Sequence, residues 1–129
     1  MENQLTVIVK AQDLCSFVFT ATDTSPKKFR GTIVAKLQHI AMEIIESLYL
    51  ANDVFVTSKN LKERYPVRRD YQHQALSKIK LLAFFAHLGL KEGAITIKQF
   101  EKIAHLTKDC QNLIGGWIKN DKARWHFDQ

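Results

Sequence analysis

Residues 26–56 read PKKFRGTIVAKLQHIAMEIIESLYLANDVFV, and this segment gives the strongest indication of the fold class. Beyond Pro26 and Gly31 it contains no proline or glycine, and its apolar residues recur every three or four positions, which is typical of one helix face. That face comprises Phe29, Ile33, Leu37, Ile40, Ile44, Leu48, Ala51 and Phe55, and it is widened by Val34, Ala41, Ile45 and Val54. A helix over 26–57 would be on the order of 45 Å long. Its broad apolar surface predicts packing against both its own bundle and a neighbouring subunit.

The composition of the whole chain favours the same fold class. Apolar residues make up 46% of the 129 residues, and only five glycines and two prolines interrupt them, which indicates long helices and short loops. We therefore predict a single all-α domain over residues 1–129, an up-down four-helix bundle. Its helices are expected at roughly 5–20, 26–57, 68–91 and 96–120. The opening LTVIV of the first helix is β-branched and equally fits a strand.

Helix ends and inner faces can be read from local signals. Ser25 and Pro26 are typical of a helix start, Pro66 disfavours helix at Tyr65, and Gly93 is a candidate C-terminal cap. Thr96 and Gln99 form a capping-box pattern at the start of the fourth helix. Gly115 and Gly116, within that helix, indicate either close approach of another backbone or fraying. The predicted inner faces comprise Val7, Ile8, Ala11, Leu14, Cys15 and Val18 in the first helix, and Phe100, Ile103, Thr107, Cys110, Ile114 and Trp117 in the fourth.

Several functional classes find no support in the sequence. The N-terminus has no basic region before its short apolar run, so we expect no signal peptide, and no segment approaches the roughly 20 apolar residues of a membrane span. Cys15 and Cys110 are expected to be buried, reduced thiols in a cytoplasmic protein. His39 and Glu43 are four residues apart, but a metal site needs three or four ligands. No cofactor is expected.

The charge of the chain points to an acidic partner. Nineteen Lys and Arg residues against 13 Asp and Glu give a net charge of +6, with a pI near 9.4. Such an excess is an argument for nucleic acid as a partner. The basic residues form three groups, which are Lys27, Lys28 and Arg30; Lys59, Lys62, Arg64, Arg68 and Arg69; and Lys119, Lys122 and Arg124. Each group alone could be a solvated rim, whereas three together favour a shared binding surface.

One pair of residues suggests catalysis. Arg68 precedes His73 by five residues, and HEPN ribonucleases carry an Arg followed four to six residues later by His. In such a site His acts on the 2′-hydroxyl while Arg holds a phosphate. This chain has Arg69 where a polar residue usually follows the first Arg of the motif. A HEPN-like ribonuclease using Arg68 and His73 is therefore an alternative hypothesis.

Four segments carry a resemblance to a known family. They are KAQDLC (10–15), PKKFR (26–30), KLQHIAMEIIESLYLAN (36–52) and NLIGGWIK (112–119). In this order they resemble the accessory variability determinant (Avd) proteins of diversity-generating retroelements, within a wider family of four-helix bundle proteins that includes those encoded in 23S ribosomal RNA intervening sequences. The resemblance implies a bundle that assembles into a pentameric ring. It also implies a non-enzymatic partner of a reverse transcriptase and nucleic acid, required for mutagenic copying of template RNA into cDNA.

The resemblance also implies roles for individual residues. Packing in the core or between subunits is implied for Phe29, Leu37, Ile44, Ala51, Leu113 and Trp117. Contact with phosphate or with acidic patches of a partner is implied for Lys27, Lys28, Arg30, Lys119, Lys122 and Arg124. The tail WHFDQ has no counterpart in the family pattern, and its Trp125 and Phe127 could pack on a neighbour or stack on bases. A bundle that serves an unrelated protein partner is a third hypothesis.

Overall fold

The computed structural model describes residues 2–125, with side chains from Thr6 to Trp125, and within that range the chain is all-helical with no strand. The four α-helices of this part are α1 (Glu2–Thr22), α2 (Ala35–Asp53), α3 (Leu61–Glu92) and α4 (Ile97–Trp125). A short 3-10 turn (Lys27–Phe29) and a five-residue π-helical segment (Arg30–Val34) lead into α2. The sequence prediction of an all-α fold with four helices is confirmed, and α1 begins as helix rather than strand.

The helices run up and down around a common core. The principal contacts join α1 to α2, α2 to α3, α3 to α4 and α4 back to α1. Hydrogen bonds show the antiparallel order of the first pair, because Gln38 near the start of α2 bonds Thr22 at the end of α1, whereas Gln12 bonds Tyr49 further along. These contacts are those of an up-down four-helix bundle.

The predicted inner faces of α1 and α4 are buried in this core. Every residue predicted for the inner face of α1 is buried, and so is every one predicted for α4 except the half-buried Phe100. Leu37, Ile44, Ala51 and Trp117 are likewise buried within the chain itself. At these four positions the side chains serve the internal core, and other residues would have to form a subunit contact.

Two local signals at the α3–α4 turn are confirmed. Gly93 has a φ of 88°, and the Ala94 N–H bonds the Gly89 carbonyl at 2.7 Å, which is a Schellman motif. Gln99 Oε1 accepts from the Thr96 N–H at 2.9 Å, and Thr96 Oγ1 accepts from the Gln99 N–H at 3.2 Å. This reciprocal capping box starts α4.

The start of α2 differs from the prediction of one continuous helix over 26–57. No side chain caps the turn after Pro26, and the Ser25 hydroxyl instead donates to the Ala94 carbonyl at 2.6 Å. The π-helical segment brings Ile33 against α3, where a Cβ on Gly89 would meet Ile33 Cγ2 at 3.3 Å. Tertiary contacts with α3 therefore determine the backbone here, and regular helix begins only at Ala35.

The end of α2 also differs from the prediction. The helix ends at Asp53, and Val54 is extended, with φ −79° and ψ 111°. Val54 and Val56 are buried in a second apolar cluster with Tyr65, while Phe55 between them is exposed. Burial that alternates from one residue to the next is typical of extended chain, in which successive side chains point to opposite sides. Phe55 therefore does not belong to the apolar helix face on which the sequence pattern placed it.

Helix α3 begins at Leu61, seven residues before the predicted start, and continues through Pro66. Asn60 Oδ1 accepts from the Thr57 N–H at 2.7 Å, and the Asn60 carbonyl accepts from the Arg64 N–H at 2.9 Å, which initiates the helix. Burial of Tyr65 in the second cluster then outweighs the backbone preference of a residue that precedes proline.

The unequal lengths of the helices create an extension at one end. Helices α3 and α4 have 32 and 29 residues, against 21 and 19 for α1 and α2. Because the tight α3–α4 turn lies beside the end of α1, the extra length projects at the opposite end. We call the end formed by residues 52–70 and 117–125 the extension end, that formed by residues 20–36 and 86–102 the turn end, and the region between them the waist. No helix in the described part combines the length and apolar character needed to cross a membrane.

Candidate nucleic-acid interface

The net positive charge of the described residues lies at the two ends of the bundle. The extension end carries eight Lys or Arg and four Asp or Glu, and the turn end carries seven and three. The waist, counted from Thr6 to Gly116, carries four Lys and four Asp or Glu residues, so its net charge is zero. Antiparallel packing therefore brings the second and third basic groups of the sequence together at one end, and it leaves the first at the other.

Most of the basic residues singled out in the sequence are exposed. At the extension end the exposed residues are Lys59, Lys62, Arg64, Lys119, Lys122 and Arg124, and at the turn end they are Lys27, Lys28 and Arg30. Arg69 is half-buried, with its guanidinium 5.5 Å from the centre of the Tyr65 ring. These ten side chains are placed where a polyanion could reach them.

Arg68 differs from the other basic residues because its side chain lies inside the protein. The residue as a whole is 9% exposed, and its guanidinium forms a two-point contact with Asp121, Nε to Oδ2 at 2.8 Å and a terminal nitrogen to Oδ1 at 3.0 Å. Gln72 Nε2 also donates to Asp121 Oδ2, at 2.9 Å, and the Trp117 ring centre lies 5.2 Å from the guanidinium. This network joins α3 to α4 within the extension.

Asp121 is a functional residue that the sequence pattern did not single out. It lies in the basic segment IKNDKAR (118–124). Its spacing contained the signal, because Cys110, Ile114, Trp117 and Asp121 step by three or four along the inner face of α4. A carboxylate on a buried face requires a cationic partner, and Arg68 is that partner.

His73 does not share a site with the Arg68 side chain in this structure. Five residues along an α-helix correspond to a rotation of about 140°, so Arg68 points towards α4 while His73 is exposed on the outer side of α3. His73 lines a shallow depression with Asp70, Gln74, Ser77 and Lys78. A ribonuclease using both residues would need Arg68 to leave its buried ion pair.

The ribonuclease hypothesis gives a direct prediction. Such an enzyme should cleave single-stranded RNA, and His73→Ala should remove the cleavage because the imidazole would act on the 2′-hydroxyl. We expect instead that wild type and His73→Ala leave a labelled RNA equally intact. Cleavage by wild type that disappears in His73→Ala, but persists in the exposed-histidine control His105→Ala, would establish the ribonuclease and overturn our expectation.

A groove with aromatic walls lies at the extension end. It encloses about 430 Å³, and it is lined by Asn52, Asp53, Val54, Phe55, Val56, Arg68, Arg124 and Trp125. Trp125 is half-buried against the second apolar cluster, which agrees with a packing role for it, and the Arg124 guanidinium lies 5.1 Å from its ring centre. Phe127, its companion in the sequence prediction, lies outside the described residues.

A smaller polar hollow lies at the turn end. It encloses about 230 Å³ and is lined by Thr22, Asp23, Ser25, Pro26, Arg30, Val34 and Gln38. Gln38 Nε2 donates to Thr22 Oγ1 at 3.0 Å, and the Lys28 ammonium lies 5.1 Å from the Phe29 ring centre. Arg30 thus borders a concave surface at the turn end.

The remaining reactive side chains do not assemble into a further site among the described residues. Cys15 and Cys110 are buried free thiols, as predicted, and burial is the main cause that raises the pKa of Cys110 to about 12. His39 pairs with Glu43 at 3.2 Å on the exposed surface of α2. Within residues 6–125 no three His, Cys, Asp or Glu side chains lie close enough together to hold a metal ion.

This chain matches no protein-family model, no curated protein and no solved structure.

Proposed function

We propose that this protein is a non-enzymatic accessory subunit of the Avd type, which binds a retroelement reverse transcriptase together with template RNA or cDNA. In this role it supports mutagenic retrohoming, the targeted diversification of a gene by error-prone copying. The observation that carries the proposal is the concentration of exposed Lys and Arg at both ends of a four-helix bundle whose waist is electrically balanced. The family resemblance supplies the identity of the partners.

The proposed mechanism is electrostatic. The exposed residues Lys62, Arg64, Lys119, Lys122 and Arg124 hold the phosphates of a nucleic acid without reading its sequence, and Lys27, Lys28 and Arg30 do the same at the turn end. Lys and Arg displace condensed counterions from phosphates, so binding weakens steeply as salt rises. In this mechanism Arg68 is a positioning residue, because its ion pair with Asp121 fixes the part of α3 and α4 that presents the contacts.

A pentameric assembly belongs to the same proposal. Several large apolar side chains are exposed on α1 and α2, namely Val9, Phe19, Met42, Tyr49 and Leu50. The Gln12–Tyr49 hydrogen bond shows that Tyr49 of α2 lies beside α1 at this surface. Copies that meet through the waist would cover this surface without bringing the two basic ends into contact with each other.

The mass in solution tests the assembly. We expect nuclease-treated protein to give about five times the chain mass of 14.9 kDa in light scattering after size exclusion. Introducing a charge at the exposed apolar surface, as in Met42→Glu, should lower this mass because a carboxylate would be desolvated in the contact. A wild-type monomer or dimer would contradict the pentamer.

The partner itself is tested by co-purification. The protein is expressed with a reverse transcriptase of a diversity-generating retroelement and with its template RNA, and the three should elute as one complex at low salt. If the reverse transcriptase elutes alone while both proteins are folded, the proposal is wrong.

A further inference from the structure

Phe55 is an exposed aromatic residue on a segment of backbone whose neighbours are buried and hydrogen-bonded. Its exposed fraction is 76%, the highest of any large apolar side chain among the described residues. Because Val54 and Val56 are buried on either side of it in extended chain, Phe55 is directed away from the second apolar cluster. The side chain is therefore presented to the groove and to solvent by the packing of its neighbours.

Hydrogen bonds fix the backbone on the C-terminal side of Phe55. Asn60 Nδ2 donates to the Phe55 carbonyl at 3.1 Å, and Asn60 Oδ1 accepts from the Thr57 N–H at 2.7 Å. Thr57 Oγ1 in turn accepts from the Asn60 N–H at 3.3 Å. An aromatic ring on a backbone held in this way loses little conformational entropy on binding a ligand.

The groove beside Phe55 suits a planar, negatively charged ligand. Its volume of about 430 Å³ lies within the range of small-ligand sites, and Trp125 supplies a second aromatic wall. Arg124 lines the groove, and Lys122 and Lys62 are exposed at the same end of the bundle. Asp53 is the acidic residue of the lining, and the extension end as a whole has four more basic than acidic residues.

We propose that this groove binds an unpaired base of single-stranded nucleic acid, which stacks on Phe55 while the flanking phosphates contact Arg124 and Lys122. The inference rests on the proposed function and adds to it a preference for unpaired strands. Proteins that bind single strands combine a positively charged groove with aromatic rings, because every base has a face available for stacking. In a duplex those faces are covered by neighbouring base pairs, so a stacking site discriminates against it.

The test separates the contribution of base stacking to the binding affinity from that of charge. The probes are a fluorescein-labelled 20-nucleotide oligouridylate and an RNA duplex of the same length, titrated by anisotropy at several salt concentrations. Phe55→Leu keeps an apolar side chain but removes the aromatic face, and we expect it to weaken oligouridylate binding about tenfold. Duplex binding and the salt dependence should stay as in wild type, since no cation is removed. Phe55→Trp should bind as tightly as wild type or more tightly.

Phe84→Leu is the matched control. Phe84 is also exposed, at 60%, but it lies on α3 in the waist, away from the groove. Oligouridylate affinity unchanged in Phe55→Leu, or reduced equally in Phe84→Leu, would overturn the stacking site while leaving the proposed function standing. An equal loss on both probes would also overturn it, because a base-stacking contact cannot act on a duplex. Failure of wild-type protein to bind either probe would overturn the proposed function as well.

Discussion

Replacing Asp121 with alanine is expected to lower the free energy of unfolding by about 3–5 kcal/mol, because it leaves Arg68 buried without its counter-charge. The side chains of Arg68 and Asp121 are only 11% and 6% exposed, so solvent cannot take over the role of the carboxylate. The Gln72 amide nitrogen would lose its acceptor at the same time, and the Gln72 amide oxygen already has no hydrogen-bond partner in the described part of the chain. Urea denaturation followed by circular dichroism measures the change.

Two further variants make this prediction specific to the ion pair. Asp53→Ala removes an exposed carboxylate from the same end of the bundle and should change stability by no more than about 0.5 kcal/mol. The double variant Arg68→Met with Asp121→Leu removes both charges, and it should be considerably more stable than Asp121→Ala because no uncompensated ion remains. If Asp121→Ala unfolds at the same urea concentration as wild type, the pair contributes little and the extension is held by its apolar cluster alone.

Charge reversal at the C-terminal basic group should have the largest effect on binding. Changing Lys119, Lys122 and Arg124 to Glu is expected to weaken the affinity for single-stranded RNA about 100-fold at roughly 0.1 M salt. Three phosphate contacts contribute about −2 to the slope of log affinity against log salt concentration. Relative to 1 M salt, losing them therefore weakens binding about 100-fold at 0.1 M. All three side chains are exposed, so the helix content should not change. Filter binding over a series of salt concentrations measures both the affinity and the slope.

The control for this variant must carry the same net charge. Changing Lys10, Lys80 and Lys108 to Glu alters the total charge equally, but these residues lie in the balanced waist. We expect the waist variant to lose much less affinity. Equal losses of RNA affinity in the two triple variants would mean that only the total charge matters. An unchanged affinity in the C-terminal variant would mean that Lys119, Lys122 and Arg124 are solvated residues with no role in binding.

Much of the fold could be predicted because apolar spacing and capping signals are local. The inner stripe from Ile103 to Trp117, the cap at Gly93 and the Thr96–Gln99 box each depend on residues within a few positions of one another. A sequence read by itself contains such information directly. The order and number of the helices in the described part followed from these signals.

The errors arose where distant parts of the chain compete with local preference. Pro66 predicts that the helix does not include Tyr65, yet α3 includes both residues. Burial of Tyr65 against Val54 and Val56 supplies free energy that opposes the local preference. Apolar residues at 54–56 fitted helical spacing, although they form an extended segment in which only Val54 and Val56 are buried. Periodicity alone cannot separate these cases when the apolar run is short.

The candidate site was predictable in part. Its cations could be located in the sequence because Lys and Arg cluster at helix ends, and all but Arg68 and Arg69 are exposed. The pairing of Arg68 with Asp121 spans 53 positions and depends on the α3–α4 register, which the sequence analysis did not attempt. The sequence pattern placed Phe55 on a helix face, whereas its exposure depends on the packing of Val54 and Val56 against Tyr65. The aromatic groove was therefore found only in the structure.

The balanced waist between two charged ends has a practical consequence for anyone who isolates this protein. In the proposed assembly, contacts through an electrically balanced, apolar surface would not be weakened by salt, whereas the proposed binding of phosphate at the ends would be. A wash with concentrated sodium chloride should therefore remove any co-purifying nucleic acid from the protein while leaving the proposed assembly intact. The same wash offers bench workers a simple means of studying assembly and cargo as independent properties.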